Sequence, residues 1–81
     1  MTNLEILYQC IHKFSGIVVN DDTFIKKENV VNKLDKKITE AIRLISEHIN
    51  VNVGTTKRWI ELKNVPGYYS IDLRNLLGIE I

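Results

Sequence analysis

The side chains best suited to chemistry in this 81-residue chain lie between Arg43 and Asn64. Asn52, Gly54, Thr55, Lys57 and Arg58 crowd one short stretch; Lys63 and Asn64 follow, and Arg43 precedes. An Arg guanidinium offers two parallel donors that match guanine O6 and N7. Asn and Thr can meet base edges or phosphate oxygens, Lys supplies a point charge, and Gly lets two backbones approach closely. That set describes recognition of a polyanion, not bond breaking. Catalytic groupings are missing. Cys10 and His12 are two residues apart, so on a helix they face different ways. With His48 alone elsewhere, no metal site can be assembled. Asp21 and Asp22 could act as paired carboxylates, but helix capping explains them more simply. Tyr68 and Tyr69 could offer hydroxyls to phosphates; a strand-transfer role would need an Arg/His/Lys constellation that the sequence does not assemble. No Gly-rich phosphate loop, nucleophile elbow or His-Glu-x-x-His is present. The sequence therefore predicts no enzyme, no metal, no cofactor and no small-molecule substrate.

The elements that must position these residues read as helices. Thr2-Asn3-Leu4-Glu5 is a capping-box pattern. Leu4, Leu7, Cys10, Ile11 and Phe14 follow at helical steps and Gly16 is a C-cap, which predicts a first helix over 3–14. Ile17-Val18-Val19 is either a short extended segment or a buried connector. Asn20 to Thr23 is turn-like. Val31, Leu34, Ile38, Ala41, Ile42, Ile45 and Ile49 keep helical spacing, as one long helix or as two that meet near Asp35 or Thr39. Asn50 ends that run, because Asn tolerates the left-handed conformation past a helix end. A second short helix is predicted over 55–62, with Gly54 or Thr55 near its N-cap. Asn64, Pro66 and Gly67 break it. A last helix over 69–77 carries Ile71, Leu73, Leu76 and Leu77 and is capped by Gly78.

Composition bounds the class. At 44% hydrophobic and 26% charged, the chain resembles an ordinary globular domain and not a disordered one. No apolar run is long enough for a membrane span, and the N-terminus lacks the features of a signal peptide. One cysteine excludes an internal disulfide, so the sequence predicts a cytoplasmic domain without cross-links. Only four glycines and one proline argue against a turn-rich β fold. A net charge of +1 gives no global pull toward nucleic acid. The distribution is polarised instead: an acidic start, then six basic residues (Lys26, Lys27, Lys33, Lys36, Lys37, Arg43) against three acidic ones over 26–43. The lysine pairs Lys26-Lys27 and Lys36-Lys37 read as solvated helix faces before phosphate contacts.

Residues 42–66 fit a helix-turn-helix, in which the second helix enters the DNA major groove. Ile42, Ile45 and Ile49 hold the first helix to a core. Ser46 is the small residue where the helices cross, Asn50 accepts positive φ, and Val51 points inward. Trp59 anchors the second helix, as a core residue and not a base-stacking one. The run Thr55-Thr56-Lys57-Arg58-Trp59-Ile60-Glu61-Leu62-Lys63-Asn64-Val65-Pro66 resembles the lambda-repressor-like (phage repressor and Cro) helix-turn-helix family over 39–79. Leu73 to Gly78 is similar to that family's closing helix. Three residues differ from its usual pattern: Thr56 replaces a buried Ile or Val, Val53 an exposed polar residue, and Asn50 a Gly. The first two predict that the second helix is rotated or shifted by one residue. The same run is also similar to excisionase and MerR-like domains, in which Gly67-Tyr68-Tyr69 would begin a wing.

Fold and function expectations follow. The fold class is all-α: a single domain of four or five short helices, with 1–38 as supporting or dimerising helices and 39–81 as the helix-turn-helix and closing helix. The resemblance implies a double-stranded DNA-binding regulator of phage or mobile-element type. Arg58, Lys57, Asn52, Gly54 and Thr55 would lie near bases, and Lys63, Asn64 and Arg43 near phosphates. One such module is weak alone, so a homodimer or a larger host chain is expected, joined through the first helix or the Ile79–Ile81 tip. The rival expectation is a helical protein-interaction module that ignores DNA and depends on Leu7 or Ile81.

Overall fold

A computed structural model describes residues 2–21 and 36–78. Among them the protein is all-α: α1 (Asn3–Ser15), α2 (Lys36–His48), α3 (Val53–Leu62) and α4 (Ser70–Leu77), with a 3-10 turn at Gly67–Tyr69 and no strand. No described helix is long and apolar enough to cross a membrane.

Helix α1 starts where the capping box places it. The Glu5 amide donates to Thr2 Oγ1 at 3.2 Å, and the Thr2 amide donates to Glu5 Oε1 at 3.3 Å. Gly16 closes the helix in the left-handed region at φ 75°, its amide donating to the His12 carbonyl. The predicted stripe is too narrow. Ile6 and Tyr8 are buried along with Leu7, Cys10 and Ile11, while Leu4 and Phe14 are only partly covered. The reason is position: α1 packs against both α2 and α4, so it needs two apolar faces. The α4 contact is also bonded. Cys10 Sγ donates to the Leu73 carbonyl at 3.4 Å, and Lys13 Nζ donates to the Leu76 carbonyl at 2.8 Å. Lys13 thus satisfies one of the open carbonyls at the C-terminal end of α4, where a cation also suits the helix dipole.

Ile17-Val18-Val19 is neither a paired strand among the described residues nor a fully buried connector. Ile17 is half-buried, Val18 is 73% exposed and Val19 is buried, with no strand pairing. Tyr8 fastens its far end, the phenol donating to Asp21 Oδ1 at 2.8 Å. Asp21 is therefore an acceptor for Tyr8, and Asp22 lies outside the described residues. So do Asp35, Lys26, Lys27, Lys33, Val31, Leu34 and the Ile79–Ile81 tip.

Helix α2 passes through Thr39 without interruption, so no helix junction falls there and the helix crosses the 38/39 divide. Ile38, Ala41, Ile42 and Ile45 are all buried on one side, which holds the helix together as a unit. The central core is Ile6, Leu7, Ile11, Ile42, Ile45 and Leu73, extended by Trp59, Ile60 and Val65. In α4 the apolar spacing overstates the buried face: Leu73 is sealed, but Ile71 is 59% exposed.

Candidate functional site: the α2–turn–α3 unit

Helices α2 and α3 pack on each other across the four residues 49–52. The turn is built by the chain's own hydrogen bonds. Asn50 adopts φ 59°, and the Val51 amide donates to the Ser46 carbonyl at 2.9 Å. That is the usual wrap past a helix end, with Asn in place of Gly. Val51 packs against the core as the sequence predicts. Asn52 is the N-cap of α3: its Oδ1 accepts from the Gly54 amide at 2.9 Å. The helix therefore begins at Val53, two residues before the predicted start, and neither Gly54 nor Thr55 is the cap. Asn-x-Gly reads as a turn in sequence, yet Asn is among the strongest N-caps.

Thr56, Trp59 and Ile60 face inward; Gly54, Thr55, Lys57, Arg58 and Glu61 face outward. Val53 is half-buried and packs against the core. Thr56 is fully buried, and its hydroxyl lies 2.7 Å from Ser46 Oγ. Ser46 donates its one proton to the Ile42 carbonyl at 2.8 Å, so Thr56 is the donor to Ser46. A two-step hydroxyl relay thus takes the place of a hydrocarbon contact at the helix crossing. It leaves no buried polar side-chain atom unpaired among the described residues. Thr56 keeps its inward place by bonding instead of by apolar contact.

Of the sequence-predicted residues, the structure brings Gly54, Thr55, Lys57 and Arg58 onto the exposed side of α3. Asn52 stands at its start with its oxygen committed to the cap, which leaves the amide nitrogen as its donor. Gly54 is helical, and a Cβ built there would meet only Asn52 Oδ1, at 3.4 Å. The backbone does not require glycine; its effect is to leave the first turn bare. Lys63 closes α3 in the left-handed region at φ 53°, and the Asn64 amide donates to the Trp59 carbonyl at 3.0 Å. Both side chains are exposed. Arg43 stands apart. It pairs with Glu40 and, at 2.6 Å, with Glu47. The hydrogen bond from Arg43 holds the Glu40 carboxyl below its ordinary range. This exposed triad carries a net charge of −1, so Arg43 presents no unopposed positive charge.

Sequence reasoning undervalued the aromatic residues after α3. Tyr69 lies tilted on buried Trp59, with ring centres 4.8 Å apart, and Tyr68 meets Tyr69 edge-on at 5.0 Å. Tyr68 itself is 85% exposed. Gly67–Tyr69 is a 3-10 turn that runs straight into α4, where a winged domain would need a strand. No cluster of three potential metal ligands occurs among the described residues.

No family model, curated protein or solved structure matches this chain.

Proposed function

We propose that the chain binds double-stranded DNA in a sequence-dependent way, as a non-catalytic regulator of phage or mobile-element type acting in the cytoplasm. The observation that carries this reading is the division of α3. One side is locked to α2 by Trp59, Ile60 and the Thr56–Ser46 bond, and the other is bare at Gly54 and carries Thr55, Lys57 and Arg58. Inserted in the major groove, Arg58 and Lys57 would address base edges, Thr55 a base or phosphate, and Lys63 and Asn64 the flanking backbone. Arg43 drops behind these residues because its charge is already met by Glu40 and Glu47.

One module makes few contacts, so the working form is a homodimer or part of a longer chain. In α1, Ile6, Leu7, Cys10 and Ile11 are occupied in the core, and only partly covered Leu4 and Phe14 remain for a joint through that helix. The test is fluorescence anisotropy with a labelled pool of random duplexes at two salt concentrations, for the native chain and Arg58→Ala. Binding that weakens steeply with salt, and weakens further in the variant, supports the reading. A folded native chain that binds nothing at low salt ends it.

The second reading, a protein-interaction module, is favoured by Leu62 at 62% exposure and by exposed Ile71. Leu7 is a poor probe of it, because Leu7 is wholly buried and its loss would destabilise the fold itself. Leu62→Ser and Ile71→Ser are the useful variants; on the DNA reading they leave Arg58-dependent binding intact.

A further inference from the structure

We infer that Tyr68 is a contact to the DNA backbone and that Tyr69, seated on Trp59, is the prop that holds it out from the fold. This rests on the DNA-binding reading above and extends it beyond α3.

An exposed tyrosine normally loses rotamer freedom when a partner fixes it, and that loss opposes binding. Here the ring already has an aromatic neighbour on one edge. Tyr68 is braced edge-on by Tyr69, Tyr69 lies on Trp59, and Trp59 is buried in the core side of α3. The phenol is therefore tied to the helix proposed to enter the groove. Its hydroxyl has no partner among the described residues, and phosphate oxygens are acceptors that a phenol can meet. The local charge permits the approach: Lys63 lies in the same connection, and no acidic residue occurs between Glu61 and Asp72. Leaving 85% of a tyrosine in water beside a second aromatic ring adds little to the core, but it suits a contact residue.

The experiment is anisotropy of a fluorescein-labelled random duplex pool at two salt concentrations, for native protein, Tyr68→Phe, Tyr68→Ala, Lys63→Ala and Arg58→Ala. Circular dichroism melts confirm that each variant is folded; the exposure of Tyr68 makes its replacement safe for the fold. Both Tyr68 variants are expected to bind roughly three- to tenfold more weakly. The factor is expected to be the same at both salts, because a neutral donor displaces no counterion. Lys63→Ala, by contrast, should flatten the salt slope by about 0.9. Native-like binding by Tyr68→Phe overturns the inference, even if Tyr68→Ala is weak, since the hydroxyl would then do nothing. If Arg58→Ala is weakened while both Tyr68 variants match the native chain, this inference fails and the α3 reading stands. If the native chain does not bind, both fall, and exposed Tyr68 becomes a candidate protein contact.

Discussion

Gly54 and the Ser46–Thr56 pair separate two demands that single residues often confuse, holding the fold and meeting a partner. A helical glycine costs about 0.5–1 kcal/mol relative to alanine. The space around Gly54 admits a methyl group. Gly54→Ala is therefore expected to raise the melting temperature and yet to weaken duplex binding, because the added methyl stands on the outward side of α3. A thermal melt paired with anisotropy reads both effects, and unchanged affinity would show that this side of the first turn is not approached. The hydroxyl relay makes the opposite prediction. Ser46→Ala strands the buried Thr56 hydroxyl and should cost about 1–3 kcal/mol. Thr56→Val leaves Ser46 bonded to Ile42 and should cost about 0.5–1.5 kcal/mol. The double variant should cost less than the sum, as a double-mutant cycle in urea would record. That relay was hidden in sequence. Ser46 was legible as the small residue at the crossing, but a buried threonine reads as a defect until its partner, ten residues away, is in place.

At the scale of elements, the helix ends were the most legible part. Thr2 with Glu5, Gly16, Asn50 and Gly78 each stand where local chemistry puts them, because a cap depends on neighbours within four residues. The start of α3 was the exception, since Asn52 suits a turn and a cap equally and only tertiary contact selects the cap. That residue yields a further test. Asn52→Asp keeps a capping oxygen and favours the positive helix end, so the melting temperature should hold. The added negative charge should nonetheless weaken duplex binding, most at low salt, and so flatten its loss with salt. Asn52→Ala should instead lower stability by about 1 kcal/mol. If Asn52→Asp binds as the native chain does, the N-terminal end of α3 does not face phosphates. Charge at the element scale was not legible either. Arg43 is a cation in sequence, but its i−3 and i+4 neighbours give the triad around it a net charge of −1.

For the whole molecule, stability should respond to alkali and not to mild acid. Burial pushes the Cys10 thiol up to about 11, and burial together with the Asp21 hydrogen bond pushes the Tyr8 phenol upward as well. The folded state thus holds these protons more tightly than the unfolded chain. Their contribution is complete below the unfolded thiol value of about 8.5 and is lost as pH rises toward 11 and beyond, with the phenol joining above about 10. Urea midpoints from pH 7 to 11 should show that decline, and Cys10→Ala should delay its onset to about pH 10. A flat profile would mean that neither group is sealed. The seam around Cys10 was the least legible feature of all. Periodicity identifies faces of helices but not which distant helix covers them, so Ile6 and Tyr8 were missed on a helix whose bounds were right. That seam also sets an order of assembly. Cys10 and Leu73 lie 63 residues apart, and between them the chain must be synthesised before the first helix gains its second cover. On the ribosome α1 emerges early with Ile6, Leu7 and Ile11 uncovered, and it waits for α4. Leu73 is thus a timing residue: until it appears, the second apolar face of α1 stays open to whatever chaperone or neighbour is nearest, and only then does the fold become its own shield.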